Sequence, residues 1–271
     1  MTELLITNQG PIRLGIFIGI FTLMAIYELL APKRELTTPK ISRWSTNLGL
    51  TFLNTVILRW VFPAGAVGIA LFAEQNAIGI FNIRPYNIVT AGVLSFILLD
   101  MSIYVQHLIM HRVGFLWRLH MMHHTDLDLD VTSGARFHPL EIIISMLYKI
   151  IIILILGAPA WTVIIFEIAL NAGAMFNHSN VSIPGWIDTP LRLTIVTPDM
   201  HRVHHSVIIK ELNTNFGFFL SWWDRLFRTY TPQPSRGHKN MTIGLANHQD
   251  SKLLTLPLLI ALPFTARKDT I

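Results

Sequence analysis

Cysteine is absent from all 271 residues. That excludes disulfides, thiolate metal sites, iron–sulfur clusters and the CxxCH attachment of c-type haem. Charge is scarce as well. Only 14% of residues are Asp, Glu, Lys or Arg, against about 25% in an ordinary soluble domain, while 52% are hydrophobic. Such a chain has too few solvated side chains to cover a globule, and its composition points to the bilayer. The net charge of +5 therefore reads as attraction to an anionic membrane surface rather than to nucleic acid. There is no GxGxxG dinucleotide fingerprint, no internal repeat and no low-complexity or Pro/Ser-rich linker. Histidine is missing from the first 106 positions, although the chain holds twelve.

Apolar stretches are what the sequence has in abundance, several of them near the roughly 20 residues that a helix needs to cross hydrocarbon. The first runs from about Ile12 to Ala31 with one charge after Arg13, Glu28. It is too long for a signal peptide and has no small-residue cleavage site, so it reads as a retained anchor. The second, about Leu48 to Phe72, is interrupted by Arg59 and Pro63 and reads as kinked or tilted. A third spans about Ile88 to Met110. The fourth and fifth, Ile142–Leu156 and Trp161–Met175, are separated by Gly157-Ala158-Pro159 and read as a tight helical hairpin. Leu253–Phe264, broken by Pro257 and Pro263, is short enough to lie at the interface.

The expected architecture is an all-α integral membrane protein. It has four to five transmembrane or re-entrant helices. Within one structural domain, residues 1–87 read as anchor helices and 241–271 as an interfacial tail. Lys and Arg set the orientation. They crowd the loop after the first helix (Lys33, Arg34, Lys40, Arg43) and the segments after the third and fifth, but spare the hairpin turn. This places the N-terminus outside and both polar blocks, about 111–140 and 177–252, on the cytoplasmic face.

The histidines carry the chemistry. His107 and His111 are four apart, so both project from one face of the third helix near its cytoplasmic end. His120, His123 and His124 repeat the idea at i, i+3 and i+4, and so do His201, His204 and His205. Three helical segments with imidazoles aimed alike can build a nest of eight nitrogens, and His178 can supply a ninth. A tetrahedral zinc uses four ligands and a catalytic zinc three plus water. Eight or nine is too many for one ion and suits two, each with an open position. Neutral imidazole suits iron, zinc, copper and nickel. An iron pair beside the bilayer has access to O2 and to hydrophobic substrate, which implies hydroxylation or desaturation at an unactivated carbon. The competing reading is a membrane metal-binding or divalent-cation transport protein. That would spread its ligands midway through several spans, whereas these cluster at helix ends and beyond.

Around the nest, Asp100 and Tyr104 share the helical face of His107. A carboxylate in a span needs a partner, so Asp100 either orients an imidazole through its N–H or bonds a neighbouring helix or Arg59. His138 in Arg136-Phe137-His138-Pro139 reads as a supporting or helix-entry residue, and Asn177 beside His178 as a further supporting residue. His238 and His248 lack helical partners and read as structural. Asp126, Asp128 and Asp130 read as a solvated loop, with Arg118 and Arg202 able to pair with them or with lipid phosphate. Glu74 and Arg84 read as loop residues, and Trp222-Trp223-Asp224-Arg225-Leu226-Phe227 as an interfacial or packing element, with a substrate-tunnel role as the alternative.

With these residues in view, the chain resembles the fatty acid hydroxylase superfamily, also called the sterol desaturase family. The likeness runs through Asp100-x-x-x-Tyr104-x-x-His107-x-x-x-His111 and Leu116-Trp117-Arg118-x-His120-x-x-His123-His124. It continues through Asp130-Val131-Thr132, Arg136-x-His138-Pro139-x-Glu141 and Asn177-His178-Ser179-Asn180. It closes with Pro198-x-x-His201-x-x-His204-His205-Ser206, Asn215-Phe216-Gly217 and Trp223-Asp224-x-Leu226-Phe227, covering roughly residues 88–240. The nine-residue step from His111 to His120 separates it from the acyl-CoA desaturase type, which has a long gap there. The resemblance implies that residues 88–240 are the catalytic region, with a four-helix-type membrane anchor and a cytosol-facing helical cap that holds a histidine-rich dimetal site. It implies two iron ions per chain there, in a site that can be isolated with zinc instead, held by the eight box histidines with His178 as an extra ligand. It also implies a lipid substrate drawn from the bilayer. With no fused cytochrome b5 segment visible, it implies a separate electron donor of the ferredoxin, cytochrome b5 or reductase type. Short length and a compact segment between boxes resemble bacterial members, which implies the inner membrane.

Overall fold

The computed structural model describes residues 2–84 and 86–266. Among them no β-ladder forms; three isolated bridges, Pro32 with Val181, Ile195 with Leu220 and Ser206 with Ile243, are all the strand-like pairing there is. Helices are what the sequence favours, because a chain this apolar can satisfy its backbone in lipid only within helices or a closed barrel.

Five helical stretches are long and apolar enough to cross a membrane. The first is α1 (Gln9–Leu30). The second is not one kinked helix but two, α2 (Lys40–Val61) and α3 (Gly65–Gln75), joined across Phe62-Pro63-Ala64. Pro63 has no N–H to donate to the helical ladder, and the chain turns there. The third is α4 (Ile88–Arg112), followed after Val113 alone by α5 (Gly114–His124). Then come α6 (Pro139–Leu156) and α7 (Ala160–Asn177), and later the short α8 (Pro198–His204) and α9 (Leu256–Thr265).

The α6–α7 hairpin closes at Gly157, whose backbone is left-handed (φ 65°). A β-carbon there would come within 2.7 Å of the Ile78 carbonyl and the Asn82 amide, so glycine answers both demands. Glu74 is not a loop residue. It belongs to α3, and its carboxylate accepts the Ala160 N–H at 2.7 Å, satisfying a free donor at the start of α7. Inside the bundle, Leu99, Ile153, Val163, Ile164 and Phe166 are fully buried against Ala66 and Ala70 of α3, small residues that let helices approach closely. The outward faces carry exposed Ile18, Leu23, Phe52, Trp60 and Ile151, a surface suited to hydrocarbon.

The segments after α1, α5 and α7 gather at one end. α9 lies against α5 and α2, with Leu259 and Leu262 packed on Leu50, Trp117 and Met121. Arg118, expected to meet acids or phosphate, instead donates to the carbonyls of Pro263 (2.7 Å) and Ala266 (3.2 Å), tying α9 down.

The acidic run is a correction. Asp126, Asp128 and Asp130 are buried, not solvated. Arg43 of α2 donates to Asp126 through Nε at 2.7 Å, to Asp130 through Nη1 at 2.6 Å and to the Asp128 carbonyl through Nη2 at 2.6 Å. Thr37 and Thr38 donate to the Asp128 carboxylate. Burial pushes the Asp126 carboxyl up, but Arg43 outweighs it and holds the group well below the usual carboxylate range. Arg136, also fully buried, donates to Asn47 and to the Met122 carbonyl. This web locks the segment after α5 onto α2.

Candidate metal centre

α4 ends and α5 begins within two residues, so the chain doubles back and the His107–His111 face meets the His120–His123–His124 face. α7 delivers His178 at its C-terminal cap. α8 delivers His201 and His204, with His205 directly after. All nine imidazoles come together, in two groups. His107, His111, His120, His124 and His204 form one, and His123, His178, His201 and His205 the other; within each, one ligand atom per residue lies within 4.8 Å of the rest. The groups adjoin, with the His124 and His205 rings 4.6 Å apart. Stretches 77 residues apart in sequence, at His124 and His201, thus share one pocket.

Several rings have their tautomer fixed by what holds the far nitrogen. The Nδ1–H of His107 donates to the Phe216 carbonyl (2.9 Å), that of His178 to Ala174 (2.8 Å) and that of His204 to Thr214 (2.7 Å). His120 donates its Nδ1–H to the Glu141 carboxylate at 2.7 Å. In each of these the Nε2 lone pair is left for the pocket. Burial pulls His178 down to about 4 and His204 down to about 3. Burial and then neighbouring imidazoles pull His123, His124, His201 and His205 well below 6.5. These six rings are therefore neutral near pH 7 and offer lone pairs.

The residues fit metal ions. His107 Nε2, both nitrogens of His111 and His204 Nε2 are buried without any hydrogen-bond partner, which is costly unless something else binds them. Nε2 atoms of neighbouring rings face each other at 3.0–3.2 Å, in the pairs His120–His124, His123–His178, His178–His201 and His201–His205. With metal–nitrogen bonds of about 2.1 Å, adjacent ligands lie about 3.0 Å apart in an octahedron and about 3.4 Å apart in a tetrahedron. The pocket already has that spacing.

The remaining candidates sit outside the nest. Asp100 does not reach an imidazole or Arg59; it accepts from Trp223 Nε1 (2.7 Å) and the Leu220 N–H (3.2 Å). Tyr104 bonds Thr229 and packs edge-on against Phe216, the residue whose carbonyl holds His107. Asn177 donates to the Phe218 carbonyl. His138 is the helix-entry residue of α6: its Nδ1 accepts the Leu140 N–H and its Nε2–H donates to Ile260. His238 and His248 belong to neither group. Arg202 pairs with Asp199, three residues away, rather than with the acidic run.

Sequence reasoning singled out neither Glu141 nor Asp224 as supports of the site. Glu141 stands three residues after His138 and one turn into α6, a position from which a carboxylate can reach back. Asp224 accepts from the N–H groups of Phe216 and Gly217 and from Thr229 Oγ1, and so shapes the loop that presents the Phe216 carbonyl to His107. Gly134 is a close approach: a β-carbon would come within 2.6 Å of the Ala174 carbonyl that holds His178.

Five helices long and apolar enough to span and a buried, histidine-only pocket whose residues fit metal define a multi-pass, all-helical membrane protein with a candidate metal centre at one end of its bundle. More narrowly, the chain belongs to the fatty acid hydroxylase family, whose model matches residues 92–229 and so takes in all nine histidines. It is 32% identical over 145 residues to an ornithine lipid hydroxylase of Rhizobium tropici, covering 53% of this chain and 43% of that protein. It is 27% identical over 150 residues to alkylglycerol monooxygenase of Xenopus tropicalis (53% and 31% of the two chains). Against the Homo sapiens alkylglycerol monooxygenase it is 26% identical over 143 residues (50% and 29%). The matched region is thus less than half the length of each of these relatives. No solved structure matches.

Proposed function

We propose that the chain is a membrane-bound di-iron oxygenase that uses O2 and external electrons to hydroxylate or desaturate a lipid. The substrate classes that fit are a sterol or hopanoid, a fatty acyl chain, or an ether lipid. The observation that carries the reading is the pair of adjoining imidazole groups, five and four strong, at the head of a cavity of about 330 Å³. Nine imidazole donors exceed what one ion uses, and a cation path would string them along the spans instead of gathering them at one end. In this reading His107, His111, His120, His124 and His204 hold one iron and His123, His178, His201 and His205 the other. Bound there, the iron pair supplies O2 activation and removal of hydrogen from an unactivated carbon.

The chain's own residues do the rest. Glu141 and the carbonyls of Phe216, Thr214 and Ala174 hold ring orientation and tautomer. Burial favours the neutral form of His123, His124, His178, His201, His204 and His205. Leu58, Ile103, Met110 and Leu170 give the cavity apolar wall beside His107, His120 and His123, suited to an alkyl chain or ring system. The names of the relatives, an ornithine lipid hydroxylase and alkylglycerol monooxygenases, support oxygen insertion into a lipid. The distribution of Lys and Arg supports placing the histidines on the cytoplasmic side, and the resemblance to compact bacterial members supports an inner-membrane setting. There a ferredoxin, cytochrome b5 or reductase-type donor can deliver electrons.

The test has two parts. Protein purified from iron-replete cells should carry about two irons per chain. Lipid extracts compared with and without the gene should differ by the mass of one oxygen or two hydrogens. Zinc alone, with no oxidised lipid, would defeat the proposal.

A further inference from the structure

The cavity has a second polar end. It is lined by His107, His120 and His123 and also by Arg13 of α1, Lys149 of α6 and Glu167 of α7. These last three form one cluster. Arg13 Nη1 meets Glu167 at 3.0 Å, and Lys149 Nζ bonds the other oxygen of the same carboxylate. Lys149 and Glu167 are largely buried, whereas Arg13 retains a third of its side-chain exposure. Glu167 is the sole anion among the residues lining the cavity near the two cations, because Glu141 is committed to His120 at the other end.

Two cations share one carboxylate, leaving a net charge of +1 inside spanning helices. Tethering the helices needs only one cation for one anion. A surplus charge in hydrocarbon is expensive and calls for a counter-ion. Among the described residues the Arg13 side chain makes no polar contact besides its Glu167 pair. The position along the bundle is also informative. Lys149 lies eight residues along α6 from Glu141, about 12 Å at 1.5 Å per residue. Glu167 lies eleven residues along α7 from His178, about 16 Å by the same rise.

We propose that Arg13 and Lys149, bridged by Glu167, form a subsite for an anionic group, a carboxylate or phosphate, carried by the lipid that occupies the cavity. The substrate's charge neutralises the cluster, and the separation from the histidines sets which carbon is presented to them. This rests on the oxygenase reading for its meaning but not for its test.

The experiment uses the full chain in nanodiscs, under argon and without reductant, so that no turnover occurs. Affinities for palmitate and methyl palmitate, and for phosphatidate and diacylglycerol, are measured by native mass spectrometry. The wild-type protein should prefer a charged ligand over its neutral counterpart by about ten-fold or more. Preference within the first pair assigns a free carboxylate; preference within the second assigns a phospholipid phosphate. Arg13→Gln should abolish the preference while leaving the neutral ligand's affinity in place. Glu167→Gln, which raises the net charge to +2, should sharpen it, and Lys149→Arg should retain it. A merely structural cluster would instead lose charged and neutral ligands alike in Arg13→Gln and Glu167→Gln. That result, or equal wild-type affinities in both pairs, would overturn the subsite. A chain that binds the anion selectively but oxidises no lipid would sink the oxygenase reading alone. One that oxidises lipid without charge preference would sink this subsite alone.

Discussion

Glu141 makes its contribution through one atom pair, the 2.7 Å contact from His120 Nδ1 to its carboxylate. A carboxylate there fixes the ring and commits Nε2 to the pocket. Losing such a partner costs about 10–100-fold in metal affinity. Glu141→Ala should therefore weaken iron or zinc binding by that order in a competitive chelator titration. Glu141→Gln, whose amide oxygen can still accept, should weaken it less. Equal, negligible effects from both would mean that the contact does not serve the metal. Replacing any one of His120, His123, His201 or His204 with Ala should remove metal and activity while the helical circular dichroism persists. Full activity in such a variant would count against the ligand sets proposed above.

At this scale the histidines were readable because their spacing is local: i, i+3 and i+4 mark one helix face whatever the rest of the chain does. Glu141 was within the quoted motif, but nothing in it says which way a carboxylate reaches. Asp126, Asp128 and Asp130 were misread for a different reason. Alternating acids before a Thr-Ser-Gly turn look solvated until a partner is known, and Arg43 stands 83 positions before Asp126. Asp100 shows the same limit, since its partner Trp223 is 123 positions away.

Among the elements, the spans were readable from apolar length alone. The break between α2 and α3 was signalled by Pro63, but not how far the chain would turn, because that depends on what α3 packs against. The web around Arg43 is the element-scale device that holds α2 to the segment after α5. Removing one member of a buried ion pair leaves the other charges uncompensated and costs about 3–5 kcal/mol. Arg43→Ala should lower stability by that order in detergent titration or thermal unfolding. It should also loosen metal binding, since the 125–136 segment carries Gly134 beside His178. Gly134→Val makes a narrower test. Its side chain would press on the Ala174 carbonyl and tilt His178, so metal occupancy should fall more than the unfolding temperature. A variant that keeps full occupancy would show that the turn can yield without moving the ring.

For the molecule as a whole, the question is whether metal organises the fold or the fold organises the metal. Small metal domains often unfold without their ion because nothing else orders the ligands. Here the ligands hang on helices that are long, apolar and packed on one another away from the pocket, through Leu99, Ile153, Val163 and Phe166. Carbonyls, Glu141 and the Arg43 web already hold rings and loops in place. The chelated protein should accordingly keep its helical signal and remain folded in detergent. It should still be less stable, because nine buried imidazoles without metal forgo their strongest partners. A ligand that binds only the folded state adds about 2.7 kcal/mol when its free concentration is a hundred times its Kd. Returning iron or zinc should raise the unfolding temperature by several degrees, saturating near two ions per chain, with little change in circular dichroism. The stoichiometry separates the possibilities. Saturation at one ion would mean that the two imidazole groups act as a single site, and collapse of the helical signal on chelation would mean that the preformed pocket depends on the metal after all.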